Sequence, residues 1–94
     1  MLHMQQIGKR DSEIDAGTTA LLALGWILSD ESRADRLLSL TGLDADTLRK
    51  GVDDPAIWQA VLGFLADHEP DLIACADAIG QTPADLVAAQ QSLA

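Results

Sequence analysis

Apolar side chains recur at helical spacing from Ser12 to the end of the chain, and capping and turn residues divide that pattern into six segments. Met1 to Asp11 has no apolar period and carries Lys9 and Arg10, which predicts a disordered tail ahead of a single domain over residues 12–94. In the first segment Ile14, Leu21, Leu24 and Leu28 share one helical face, and Leu22 and Trp26 carry the apolar surface round the side. That breadth predicts a helix surrounded by others. Gly17 and Gly25 each weaken it by about 1 kcal/mol relative to Ala, a loss that close packing against a neighbour can offset.

Ser29 to Ser32 interrupts the pattern, and Ser32 with Asp35 reads as a capping box opening a second helix with Arg36, Leu37, Leu38 and Leu40. Gly42 ends it in the left-handed conformation that glycine takes without a Cβ clash. Asp44 caps a short helix carrying Leu48, and Gly51 closes it. Asp54 and Pro55 are an N-cap and a first-turn proline ahead of Ile57, Trp58, Val61, Leu62, Phe64 and Leu65, the expected core helix. Pro70 opens a helix with Leu72, Cys75, Ala76 and Ile79 that Gly80 ends. Thr82, Pro83 and Asp85 then start a last helix lined by Leu86, Val87, Ala89 and Leu93. No segment alternates long enough to make a strand. The expected fold is all-α, a compact bundle of five main helices plus one short helix.

Gly42, Asp44 and Leu48 match Gly80, Thr82 and Leu86 at a constant offset of 38. The shared layout is an αα-corner used twice: helix, left-handed turn, capped start, and a leucine dropping back onto the first helix. It is also the skeleton of a helix-turn-helix, with Ala76 as the small residue, Gly80 as the turn and Leu86 as the anchor. The chemistry does not follow. Thr82 to Ala94 holds no Lys or Arg for phosphates and only Gln90 and Gln91 as base readers. A single exposed face carrying Arg33, Arg36, Arg49 and Lys50 together is what a nucleic-acid reading requires.

A chain of 94 residues has room for one core, and Trp26, Trp58 and Phe64 are its only aromatics, so Leu, Ala, Ile and Val must fill it. The longest apolar or glycine stretch, Ala20 to Leu28, is about half the length that crosses a bilayer, so no membrane role is expected. Lone Cys75 and the lack of a leader pattern point to the cytoplasm. The net charge of −9 is uneven: residues 1–50 hold six basic and eight acidic side chains, and residues 51–94 hold seven acids and no Lys or Arg. That is −2 against −7. Such a field repels nucleic acid and anionic lipid and favours a basic partner.

Asp67, His68, Glu69 and Asp71 form the one cluster with metal-ligand chemistry, but neighbouring helical residues diverge from a common point. They read as solvated residues between two helices, with the acids suited to the start of the second. Cys75 lies on the stripe of Leu72 and Ile79, as a small buried hydrophobe beside Asp77, which raises rather than lowers a thiol pKa. Neither His3 nor His68 has a Ser or Cys close in sequence to make a dyad. Nucleotide loops, paired-cysteine spacings and zinc-protease motifs are missing, so neither catalysis nor a cofactor or metal is expected.

The run from Ala20 to Leu28, then Arg36-Leu37-Leu38, Thr41-Gly42-Leu43, Asp54-Pro55, Phe64-Leu65 and Glu69-Pro70, resembles a family of small uncharacterised alphaproteobacterial proteins over nearly all the chain after the tail. The resemblance implies a compact helical bundle and a bacterial cytoplasmic setting, and carries over no functional residues. The expected role is a protein-interaction module or regulatory adaptor that binds another protein, a basic one or a second copy of itself. An apolar patch at Leu22 and Trp26, or around Trp58, would make the contact, and Asp67, Glu69 and Asp71 would steer the partner. A degenerate helix-turn-helix domain is the alternative, and an enzyme with an unrecognised site comes third.

Overall fold

The computed structural model describes residues 16–93, and among these every regular element is helical. The proposed tail over Met1 to Asp11 and the face position of Ile14 lie outside the described residues. Helix α1 covers 16–28, followed by α2 (Glu31–Thr41), α3 (Ala45–Lys50), α4 (Pro55–Ala66), α5 (Glu69–Ala78) and α6 (Pro83–Ser92). The expected all-α architecture, with a single short helix, is what the chain adopts.

Local chemistry sets most of the boundaries. Asp54 accepts the N–H of Ala56 with Pro55 in the first turn, and Asp44 accepts the N–H of Thr47 at 2.7 Å. That bond holds the exposed Asp44 carboxyl below its ordinary range. Thr82 and Asp85 form a complete capping box at α6. Only the cap of α2 was misplaced by sequence: Asp30, not Ser32, accepts from the N–H of Arg33, and Ser32 lies inside the helix. Both residues are good caps two positions apart, and with α1 ending at position 28 and only Ser29 and Asp30 between the helices, the earlier one is used. Helix α5 begins one residue before Pro70, with His68 preceding it and making no side-chain cap bond.

Gly42 and Gly80 have φ of 73° and 74°, the left-handed backbone both corners require. Their closures differ in detail. Gly42 sends its N–H to Leu38, whereas Gly80 and Gln81 send theirs to Asp77 and Ala76, a Schellman pair. Leu48 and Leu86 are both buried, so each second helix is anchored as the repeated layout requires.

Helix α4 is the hub, touching α2, α5 and α6. Ile57, Val61, Leu62, Phe64 and Leu65 are buried on it, against Leu37 of α2, Leu72, Cys75 and Ala76 of α5 and Leu86 of α6. The face of α1 that enters this core is not the expected one. Ala16, Ala20, Ala23, Leu24 and Ile27 are buried, while Leu21 and Leu28 join Leu22 in solvent. Small side chains let α1 lie close to α4: a Cβ at Gly17 would come within 2.9 Å of the Trp58 ring. Leu40, placed on the apolar stripe of α2 by its spacing, is also exposed.

Candidate functional site

From Ala16 to Ser29 the chain carries no charged side chain. A helix uncharged all round is normally enclosed, because a solvent face gains from charge and loses by exposing apolar area. Helix α1 is not enclosed. At 100° per residue, Thr18, Leu21, Leu22, Gly25, Leu28 and Ser29 fall on the side opposite the buried alanines. Leu21, Leu22 and Leu28 are 38%, 47% and 48% exposed.

One edge of this face opens into a groove of about 270 Å³ between α1, α2 and α3. Leu24, Leu28, Leu38, Leu48 and Val52 line it, and Arg49 at the rim is its one charged lining residue. The face and the groove form a continuous apolar surface across three elements, with Leu28 shared between them. A larger cleft of about 520 Å³ lies between α2 and α4, where Phe64 sits among Arg36, Leu40, Asp67 and His68. It is more polar, and its cation is engaged elsewhere.

Of the residues singled out in the sequence, Leu22 alone lies on the open face of α1. Trp26 is half-buried under the Arg33 guanidinium, which stacks 3.8 Å from the ring centroid and donates to the Trp26 carbonyl at 2.7 Å and to Ser29 Oγ at 3.0 Å. Charged Arg33 therefore roofs a ring that would otherwise be available to a partner. Trp58 is a wedge rather than a patch, with Nε1 donating to the Val52 carbonyl at 2.7 Å and the six-membered ring against Gly17.

The acidic trio also separates. Asp67 and Glu69 are exposed, but Asp71 is not the solvated residue its position suggested. Its side chain is 15% exposed, and Oδ2 lies 3.2 Å from Arg36 Nη1 and 3.8 Å from His68 Nε2. No hydrogen bond of good geometry reaches Oδ2, so the contact with Arg36 is ionic in character. It ties α2 to α5 through residues 35 positions apart, which no local pattern signals.

The four cations named for nucleic-acid binding do not share an open face. Arg33 covers Trp26, Arg36 pairs with Asp71, and Lys50 pairs with Asp46 at 3.1 Å, leaving Arg49 without an ion-pair partner among the described residues. Among the described residues, too, no three His, Cys, Asp or Glu side chains converge as a metal site would need, and no helix is long and apolar enough to cross a membrane.

Cys75 is fully buried. Burial pushes its thiol up to about 11, with Arg33 pulling it down and Asp71 adding to the rise. Asp71, not the sequence neighbour Asp77, supplies the acidic contribution. The folded thiol thus ionises above its ordinary value of 9.0, and the unfolded chain gives up its proton first. Stability is complete below that value and falls as pH rises through it, by about 2 to 3 kcal/mol once the folded thiol ionises as well. The chain has no tyrosine, so no phenol titrates alongside the thiol in this range. Urea unfolding across it should show the alkaline loss in the wild type and a nearly flat profile in Cys75→Ala. Equal slopes would contradict the assignment.

Comparison with curated proteins and with solved structures yields no match. A family model described as "Protein of unknown function (DUF3572)" matches residues 13–94, a span that takes in all six helices, both left-handed corners and the uncharged outer face of α1. The chain therefore belongs to the DUF3572 family of proteins of unknown function.

Proposed function

We propose that the chain is a small protein-docking module whose working surface is the outer face of α1 with the adjoining α1–α2–α3 groove. One observation carries this reading: the solvent half of a surface helix, in a chain with 22% charged residues, bears no charge and shows three leucines to water. Fully burying a leucine is worth about 1.5 to 3 kcal/mol, so a partner that covers the face recovers a share of that for each one. Trp26 and Trp58 support the surface from behind and are not themselves its anchors.

Steering by the acidic second half belongs to the same proposal in altered form. Asp71 is taken up as an ion-pair partner, while Asp53, Asp54, Asp67, Glu69, Asp77 and Asp85 all face solvent, Asp54 and Asp85 doubling as helix caps. Those six set the field that a neutral or basic partner tolerates best. A cytoplasmic setting, in which unpaired Cys75 stays reduced, completes the reading.

Photo-cross-linking in the native cell tests it. A benzophenone side chain placed at position 28 should give a discrete adduct, and the same probe at exposed position 77 should not. Equal labelling at both positions, or none at 28, would remove the α1 surface as a docking site.

A further inference from the structure

Among the described residues nothing requires glycine at position 25. Of the six described glycines, the other five would place a Cβ within 3.3 Å of a side chain or on left-handed backbone, whereas a Cβ at Gly25 meets nothing within 4 Å. Its backbone is ordinary helix, where glycine is disfavoured against alanine. It also sits near the centre of the uncharged outer face, with Leu21 and Leu22 one turn before it and Leu28 one turn after. A residue without a side chain, flanked by exposed leucines on a helix surface, is what the close crossing of another helix requires.

We infer that the occupant of this face is α1 of a second copy, crossing antiparallel at Gly25. The layout is complementary to itself. When two such helices run in opposite directions through Gly25, Leu28 of one copy lies against Leu21 of the other, and the exchange repeats on the other side of the two-fold axis. Leu21 of each copy then reaches the mouth of the other's groove, lined by Leu24, Leu28, Leu38, Leu48 and Val52. Charge points the same way. Two chains of net charge −9 repel at a distance, and this face, free of charge from Ala16 to Ser29, is where they meet without opposing like charges. A single helix crossing flanked by two shallow grooves is a small contact, so the dimer is expected to be weak, forming at about micromolar concentrations or above.

This inference rests on the docking reading and commits it to one partner. Sedimentation velocity of the full chain should show the weight-average mass rising from one copy towards two over about 5 to 500 μM. The decisive variant is Gly25→Ala. In the monomer its Cβ enters open space and raises helix propensity, so the melting temperature of a dilute sample should rise by about 2 to 6 °C. At the crossing the same Cβ separates the helices, so the dimer should weaken at least about tenfold. A substitution that strengthens the fold while weakening association cannot be explained by partial unfolding. Leu28→Glu should abolish the dimer outright.

A wild type that stays monomeric throughout, or a Gly25→Ala dimer of unchanged affinity, would overturn the inference. The position-28 adduct separates this failure from that of the docking reading. A product of twice the chain mass supports the second copy, whereas a product containing a different protein keeps the docking surface and rejects self-association.

Discussion

Phe64→Ala is expected to cost about 3 to 5 kcal/mol, which is much of the roughly 5 to 15 kcal/mol that holds a small domain together. Phe64 is buried on α4 beside Val61 and Leu65, and α4 is the helix that α2, α5 and α6 all touch. Removing the ring leaves a cavity in the core that α4 shares with its neighbours. Phe64 also lines the α2–α4 cleft, so part of the vacated space connects to solvent and water can enter it. That relief places the loss toward the lower end of the range. Phe64→Leu keeps most of the volume and should cost less than about 1.5 kcal/mol. Urea unfolding of the three proteins measures both differences, and an alanine variant within about 1 kcal/mol of wild type would show that α4 is not the hub.

Features written in consecutive residues were legible in the sequence. Asp54-Pro55, Thr82-Pro83-Asp85, Gly42 and Gly80 each act through bonds spanning no more than about five positions, and each falls where its spacing puts it. Burial on α4 was legible because Ile57, Val61, Phe64 and Leu65 stand against polar neighbours such as Gln59 and Asp67. Helix α1 offered no such contrast. With every residue from Ala16 to Ser29 uncharged, the larger leucines looked like the inner face, yet the structure buries the alanines. The deciding contact is tertiary: Trp58 needs a flat partner, and Gly17 with its alanine neighbours supplies one where leucines would not fit.

The candidate surface was only partly legible for the same reason. The spacing sets Leu22 on the side of an enclosed helix and offers it with Trp26 as a patch, whereas it lies in solvent together with Leu21 and Leu28, which the same spacing turns inward, and without those two Gly25 has no setting. Trp26 reads from sequence as core or as part of a patch with Leu22, because nothing in its own helix decides what covers it. The cover comes from Arg33, seven residues on and past the bend at Ser29 and Asp30. Asp71 looked solvated because its partner Arg36 belongs to another helix. One signal was present from the start: an uncharged stretch of this length, with a glycine inside it, in a chain of net charge −9.

Trp58→Ala should cost about 3 kcal/mol or more, and should reverse the sign of a second substitution, Gly17→Ala. In the wild type a Cβ at position 17 would lie 2.9 Å from Cη2, 3.0 Å from Cζ3 and 3.1 Å from Cζ2 of the indole. The ring cannot retreat freely, because Nε1 is held by the Val52 carbonyl at 2.7 Å. Overpacking of that kind typically costs about 1 to 3 kcal/mol, more than the roughly 1 kcal/mol that alanine gains over glycine in a helix, so Gly17→Ala alone should destabilise. Once the ring is gone the clash goes with it and only the propensity gain remains, so the same change should stabilise Trp58→Ala by up to about 1 kcal/mol. The double-mutant cycle should therefore close with a coupling of about 1 to 3 kcal/mol. Equal effects of Gly17→Ala in both backgrounds would mean that Trp58 does not hold α1. The consequence reaches the docking face, since the contact that seats Gly17 against the indole also fixes which way Leu21, Gly25 and Leu28 point. Trp58→Ala should accordingly weaken association even though Trp58 lies outside the proposed interface, and Gly17→Ala should restore part of it by stiffening the helix.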